Sequence, residues 1–292
     1  MSHNELLSNW KKLKISDTGR INSANYTLHQ AVQTIALAGK QLITQQADDS
    51  NTNMKWHHEL NSFVGNWIDG KIRFRIGFDV INFRFQNMDI RKHIISEFPL
   101  AGKTKLQAFE WLKEQAENYC LSGFKLKNEL LNEPSSHDSS RDTTFVLPEK
   151  ELLEELCFYR ANADLLLRTF YCKYEHASRI RIWPHHFDTG SYIPMKYDEN
   201  GIAQKSFSIG MATPDELIND HYFYITTWTN NKIEYSILPE FSGKGSWNTK
   251  GWTGAVLPLS RIIEQQSSEQ QVDIATQFFS EGIDFALKLL KL

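Results

Sequence analysis

The chain has 292 residues, of which 41% are hydrophobic and 23% charged, a composition typical of a folded globular protein with a substantial core. Its formal net charge of −3 argues against a nucleic-acid-binding protein, because such proteins usually present a basic surface. No apolar run approaches the ~18 residues of an ordinary transmembrane helix, so no membrane association is expected.

The cysteines and the first residues of the chain bear on the compartment. Cys120, Cys157 and Cys172 are widely spaced and form no CxxC pair, which is not the pattern of a disulfide framework. Residues Met1–Lys14 contain no uninterrupted apolar stretch, so no signal peptide is expected. These features together predict a cytoplasmic protein.

The first part of the chain alternates between helical and extended patterns. Apolar residues at helical spacing predict a helix over Asn25–Thr44, and composition predicts a polar loop over Gln45–Asn53. Met54–Ile68 is predicted to be extended. Alternating residues then predict strands over Ile72–Phe85, with a bulge or tight hairpin turn near Val80 where the phase of the alternation changes.

The chain is predicted to divide into two halves, residues 1–131 and residues 149–292, joined by a polar segment over residues 132–148. A helix at Leu106–Tyr119 closes the first half. The second half has predicted helices at Leu152–Phe170 and from Val272 onward, and predicted strands at Arg179–Trp183, Ser206–Ala212 and Tyr222–Trp228.

Both halves therefore have the order helix, Trp- and His-containing extended segment, strands, helix. This order predicts an α+β fold with mainly antiparallel sheet, in which the two similarly organised halves pack as one globular unit. It also indicates an internal duplication, because Trp56-His57-His58 and Trp183-Pro184-His185-His186 occupy the same place in each half.

If these two segments are strands, alternate side chains point to opposite faces. One face of the second segment would carry Trp183, His185 and Phe187, and the other face His186 and Asp188. The first segment would present Trp56, His58 and Leu60 on one face, with His57 and Glu59 on the other. Each half thus offers an aromatic face and a face with His and a carboxylate.

The functional interpretation is a composite site in a cleft between the halves. His57, Glu59, His186 and Asp188 would hold a divalent metal with an open position for water. Without a metal, His186 oriented by Asp188 would act as a general base. The ligand-binding residues predicted to line this cleft are Trp56, His58, Trp183, His185, Trp247 and Trp252.

The structural interpretation of the same residues stays open. A His beside a carboxylate often satisfies a buried hydrogen bond, and Trp-rich segments often pack into a core. The sequence contains no HExxH motif and no recognisable facial triad, so the metal has no independent support.

The chain resembles an uncharacterised bacterial family that is catalogued only as a domain of unknown function. The features that carry the resemblance are Leu28-His29, Trp56-His57-His58, Phe74–Phe85, Tyr159–Phe170, Trp183–Asp188, and Gly251-Trp252 leading to Leu257-Pro258. The resemblance implies a bacterial cytosolic protein with two halves, and it implies no activity or cofactor.

The preferred functional hypothesis is a small-molecule-binding protein or enzyme, with hydrolysis as the first reaction class to test. The alternative is a non-catalytic interaction or scaffold protein that forms a homodimer through its aromatic-rich sheet. The sequence does not decide between them.

Overall fold

The computed structural model describes residues 1–120, 126–127, 143–230 and 238–291. Two compact units share the chain. The six-stranded unit comprises Met1–Asn22, Phe158–Arg181 and Asp188–Leu292, and the five-stranded unit comprises Ser23–Cys157 and Ile182–Phe187. Each unit therefore contains residues from both predicted halves, and the six residues Ile182–Phe187 join the five-stranded unit from within the later part of the chain.

The described helices include the four predicted from apolar spacing. Their bounds are α1 (His3–Asn9), α2 (Thr18–Leu42), α3 (Lys105–Tyr119), α4 (Lys150–Tyr171), α5 (Leu259–Ile263) and α6 (Ser268–Leu289). Helix α2 begins earlier than predicted because the Asp17 side chain accepts a hydrogen bond from the backbone N–H of Arg20 at 3.1 Å. Helix α3 begins with a capping box between Thr104 and Gln107.

The five-stranded sheet is an antiparallel meander in the order β1-β2-β3-β4-β5. Its strands are β1 (Lys55–His57), β2 (Ser62–Val64), β3 (Phe74–Asp79), β4 (Arg84–Asp89) and β5 (Ile94–Pro99). The hairpin between β3 and β4 pairs Asp79 with Arg84 and places Phe83 at a φ of 49°, which confirms the predicted turn near Val80. Helix α3 packs on this sheet through Trp111, whose ring stacks on Phe85 with centroids 5.7 Å apart.

The six-stranded sheet is also antiparallel in the pairings described. Its strands are β6 (Arg181–Ile182), β7 (Thr189–Tyr197), β8 (Ala203–Ala212), β9 (Tyr222–Thr229), β10 (Ser246–Asn248) and β11 (Gly254–Pro258), in the order β10-β11-β9-β8-β7-β6. Its core forms against α4 and α6, because Phe279 of α6 contacts Phe223 and Phe170 with ring centroids 5.4 Å apart in both pairs.

The predicted α+β fold is confirmed, with two antiparallel sheets and helices packed on them. The internal duplication stays a prediction, as does the predicted cytoplasmic location. Residues 132–142 of the predicted connecting segment lie outside the described residues. Within the described part of the chain, no helix combines the length and apolar character needed to cross a bilayer.

Candidate functional site

One face of helix α2 supplies the polar side chains of a cleft in the five-stranded unit. His29 and Gln33 are one helical turn apart, and Lys40 follows Gln33 after seven residues, or two turns, so all three share a face. Gln33 is only 7% exposed, whereas Lys40 is exposed. This face therefore runs from a buried amide to an exposed ammonium group.

The polar loop predicted after this helix forms the second side of the cleft. Its 3-10 turn, Ser50–Thr52, lies directly on the helix: a Cβ added to Gly39 would fall 2.3 Å from the Asn51 carbonyl oxygen. The Asn51 Nδ2 group donates to the Gly39 carbonyl at 3.1 Å, and the Asn66 Nδ2 group donates to the Ser50 carbonyl at 2.9 Å. These bonds fix the loop backbone although most of its side chains are exposed.

A tight turn, Trp183–Phe187, forms the third side. The neighbouring residue Ile182 exchanges two backbone hydrogen bonds with Met54, each 2.9 Å long. The Phe187 N–H then donates to the Trp183 carbonyl at 2.7 Å, and Phe187 has a φ of 54°, in the left-handed region. The backbone therefore reverses direction here, and the strand that precedes it ends at Ile182.

The helix holds this turn through the Pro184 carbonyl oxygen. Both His29 Nε2 and Gln33 Nε2 lie 2.7 Å from that oxygen, and because a carbonyl only accepts, both nitrogens act as donors. The Phe187 ring is fully buried and stacks on His29, with centroids 4.9 Å apart and planes within 11°. The turn is thereby locked to α2 by polar and aromatic contacts together.

These three segments enclose a cleft of about 420 Å³. Eight of its ten lining residues have polar side chains, and the aromatic surface comes from Trp183. The lining residues are Gln33, Lys40, Gln45, Asp48, Asp49, Asn51, Thr52, Trp183, Pro184 and His185. The volume falls within the range of small-molecule sites, roughly 300–1,000 Å³.

Gln33, one of the buried lining residues, has an amide oxygen that is closed to water. This Oε1 atom has no hydrogen-bond partner among the residues that the structure describes. The orientation of the amide is fixed, because Gln33 Nε2 donates to the carbonyls of Pro184 (2.7 Å) and His29 (3.3 Å), leaving the oxygen on the other side. The bonds that fix the turn are therefore made at a cost of about 1–3 kcal/mol, because they leave this buried acceptor unsatisfied.

The structure brings two of the predicted site residues, Trp183 and His185, into this cleft. His186 is exposed beside them, with its ring centroid 4.5 Å from that of His185. The predicted alternation of side chains between two strand faces over Trp183–Asp188 is wrong. The segment is a turn in which Pro184 and Phe187 are buried, whereas His185 and His186 are both exposed.

The predicted alternation of faces is also wrong in the first His-containing segment. Strand β1 ends at His57, and His58–Leu60 forms a single 3-10 turn. Trp56 is 6% exposed and contacts the edge of Phe63 at 5.2 Å, so its ring is part of the core. Burial, then the positive charge of Arg75, lowers the pKa of His57. Glu59 forms an exposed ion pair with Lys92 at 3.3 Å.

The remaining predicted residues belong to the six-stranded unit. The Asp188 carboxylate accepts a 2.7 Å hydrogen bond from the Tyr224 hydroxyl. Trp252 stacks on Tyr222 with centroids 6.3 Å apart, and the Trp247 Nε1 group donates to the Pro239 carbonyl at 2.8 Å. Each of these three predicted residues thus has a local structural partner.

Asp188 is one member of a polar cluster in which Arg160, Thr189 and His221 are buried and Asp188 and Tyr224 are half-buried. The guanidinium of Arg160 donates to the Thr189 hydroxyl at 2.7 Å. Complete burial lowers the pKa of Arg160 to about 9, and the Asp188 carboxylate acts in the opposite direction. Burial, followed by the Asp188 charge, raises the pKa of Tyr224.

His221 is the least satisfied member of this cluster. It is 1% exposed and contacts the ring of Tyr159 edge-on at 5.1 Å, and among the described residues neither of its ring nitrogens has a hydrogen-bond partner. Burial, and then the charge of Arg160, lowers the pKa of His221 to about 3. The imidazole is therefore neutral at physiological pH.

Among residues 1–120, 143–230 and 238–291, no three His, Cys, Asp or Glu side chains form a group that could hold a metal ion. The predicted ligand set His57, Glu59, His186 and Asp188 thus gains no support. The general-base role of His186 with Asp188 stays a prediction.

Gln33, Lys40 and the acidic loop residues Asp48 and Asp49 are not among the predicted site residues. Apolar positions alone predict helix α2, and composition alone predicts the loop. The signal that could have found them is the polar pair at positions 33 and 40, which interrupts a largely buried helix on one face and precedes a loop rich in Asp and Asn.

Comparisons with protein-family models, curated proteins and solved structures gave no match to this chain. The resemblance to an uncharacterised bacterial family stays a prediction.

Proposed function

We propose that this protein binds a small polar molecule in the cleft formed by α2, the loop that follows it and the Trp183–Phe187 turn. The observation that carries the proposal is a polar cleft of about 420 Å³ whose walls are fixed to one another, because α2 is hydrogen-bonded both to the loop and to the turn. Small-molecule sites are clefts of this size in which a few fixed polar groups lie beside an aromatic side chain.

The surroundings of the cleft also favour binding. His29 and Gln33 both contact the Pro184 carbonyl at 2.7 Å, so a ligand would meet a wall that is already fixed. The half-buried Trp183 side chain adds apolar surface to the lining. Fixed polar walls and an aromatic side chain give both orientation and burial, the two requirements of small-molecule recognition.

The test is ligand-observed NMR on the purified protein with mixtures of small polar metabolites, followed by titration of each hit. We expect Trp183→Ala to weaken a true ligand about tenfold or more, equivalent to about 1.4 kcal/mol. Trp228→Ala is the matched control, because Trp228 is 51% exposed and does not line the cleft. Absence of any hit, or hits that Trp183→Ala leaves unchanged, would refute the proposal.

A further inference from the structure

We infer that one end of the five-stranded sheet binds the surface of a membrane that contains anionic lipids. The surface concerned, called the tip surface below, consists of residues 71–73, which precede β3, and residues 90–95, which form the end of the β4–β5 hairpin and the start of β5. None of these residues lines the cleft, so the inference is independent of the proposed function.

The antiparallel pairing places the two segments of the tip surface side by side. Phe74, the first residue of β3, pairs with Asp89, the last residue of β4. Residues 71–73 therefore enter the sheet at the same end at which the hairpin leaves it. Ile68 exchanges backbone hydrogen bonds with Phe74 at 2.7 and 3.1 Å, so the connection before β3 is a second closed turn at this end.

The tip surface exposes several large apolar side chains. Ile72 is 39% exposed, Ile90 63%, Ile94 45% and Ile95 37%. A single exposed isoleucine is ordinary, but four of them in two neighbouring turns of one sheet indicate an interaction surface.

The same end of the sheet is basic. Residues 67–95 contain six Lys or Arg and three Asp, whereas the whole chain has a formal net charge of −3. Arg73 pairs with Asp69 at 3.0 Å. Lys92 pairs with Glu59 at 3.3 Å. All four side chains are more than half exposed, so solvent screens both ion pairs and lipid phosphates can replace the carboxylates.

The hairpin presents its side chains on a fixed backbone. The Asp89 carboxylate accepts hydrogen bonds from the backbone N–H groups of Arg91 at 2.8 Å and His93 at 2.9 Å. Lys92 has a φ of 65°, in the left-handed region, and its N–H donates to the Asp89 carbonyl at 3.0 Å. A turn that is already formed loses little conformational entropy on binding.

The order of apolar and basic residues favours a lipid surface over a protein or a nucleic acid. Along residues 90–95 the order is Ile, Arg, Lys, His, Ile, Ile, so basic side chains lie between isoleucines at the projecting end of a hairpin. Protein interfaces separate an apolar core from a polar rim, and single-stranded nucleic acids bind basic side chains together with stacking aromatic rings. At a bilayer surface, isoleucines can enter the boundary between headgroups and acyl chains while the long basic side chains reach the lipid phosphates.

A contact of this kind requires no membrane-spanning segment. The prediction of no membrane association rests on the absence of a long apolar run, which a surface contact does not need. Because the contact depends on a few side chains and on electrostatic attraction, we expect reversible binding that salt weakens.

The experiment is co-sedimentation of the full chain with large vesicles, either of phosphatidylcholine alone or of equal parts phosphatidylcholine and phosphatidylglycerol. We expect binding to the anionic vesicles at low ionic strength, and binding weaker by about tenfold or more at high ionic strength. Vesicles of phosphatidylcholine alone should bind little protein.

Two double variants separate the apolar and the charged contributions. Ile90→Ser with Ile94→Ser, and Arg91→Gln with Lys92→Gln, should each weaken binding to anionic vesicles by about tenfold or more, equivalent to about 1.4 kcal/mol. All four positions are exposed, so the melting temperature should stay close to that of the wild type.

Two single variants in the six-stranded unit are the matched controls. Ile202 is 60% exposed in the hairpin between β7 and β8, and Lys250 is an exposed lysine. Ile202→Ser and Lys250→Gln should bind anionic vesicles as the wild type does.

Three outcomes would overturn the inference. The first is no binding to anionic vesicles at low ionic strength. The second is binding that the isoleucine variant leaves unchanged, because the attraction would then be electrostatic only. The third is binding of a single-stranded RNA oligonucleotide through Arg91 and Lys92 without vesicle binding, which would identify a nucleic acid as the partner.

Discussion

Because His221 is buried, we expect the free energy of unfolding of the six-stranded unit to fall measurably as the pH is lowered. In the folded protein its pKa is about 3, because the ring is fully buried and faces the charge of Arg160. In the unfolded chain the pKa returns to about 6.5. Above pH 6.5 both states are neutral at this position. As the pH falls, only the unfolded chain takes up the proton, so stability is lost progressively between pH 6.5 and pH 3.

The magnitude follows from these two pKa values. Between pH 7 and pH 5 the fraction of protonated unfolded chain rises steeply, and linkage gives a loss of about 2 kcal/mol in the free energy of unfolding. A domain is typically stable by about 5–15 kcal/mol, so the loss is easily measured. His221→Phe removes the titrating group and keeps an aromatic ring against Tyr159. It also removes two buried nitrogens that have no hydrogen-bond partner in the described part of the chain.

The assay is urea denaturation of the wild-type protein and His221→Phe at pH 7 and pH 5. We expect the variant to be at least as stable at pH 7 and to lose about 2 kcal/mol less on acidification. Groups such as Asp220, whose pKa is raised by burial, titrate in both proteins and cancel in the difference. His176→Gln, at an exposed histidine of the same unit, should behave as wild type. An unchanged pH dependence in His221→Phe would show that the reasoning is wrong.

Two further predictions concern packing and buried polarity. Gly39→Ala should destabilise the protein by about 1–3 kcal/mol, because its Cβ would lie 2.3 Å from the Asn51 carbonyl, whereas Gly19→Ala in the same helix should be neutral or stabilising by up to ~1 kcal/mol. Equal changes in melting temperature for Gly39→Ala and Gly19→Ala would contradict the close approach of the Asn51 carbonyl to the helix. Tyr224→Phe should cost about 1–3 kcal/mol in urea denaturation, because it removes the donor to the Asp188 carboxylate. The control Tyr197→Phe, at a tyrosine that is 41% exposed, should change stability little; a similar loss there would argue against this account.

Local periodicity was sufficient to predict much of the fold. Helices α3, α4 and α6 follow apolar residues at helical spacing, and the hairpin at Phe83 follows a change of phase in an alternating pattern. These features depend on neighbours along the chain, which a sequence displays directly.

The candidate site was harder to predict because it depends on backbone geometry and on distant residues. The Trp183–Phe187 segment contains residues typical of a strand, yet the positive φ of Phe187 reverses the chain and invalidates any alternation of faces. The place of Gln33 in the cleft depends on the Pro184 carbonyl, 151 positions later in the chain, which accepts a hydrogen bond from its amide nitrogen. No local pattern contains that pairing.

The six-residue segment Ile182–Phe187 also has a consequence for synthesis. A ribosome releases the chain in order, so α2, the five-stranded sheet and α3 emerge well before this segment does. Until then, Phe187 cannot cover His29 and Phe63, and the Pro184 carbonyl cannot receive its two donors. The unit can therefore begin to form early in translation but cannot be completed until Ile182–Phe187 has also emerged, and apolar surface around His29 and Phe63 stays uncovered until then.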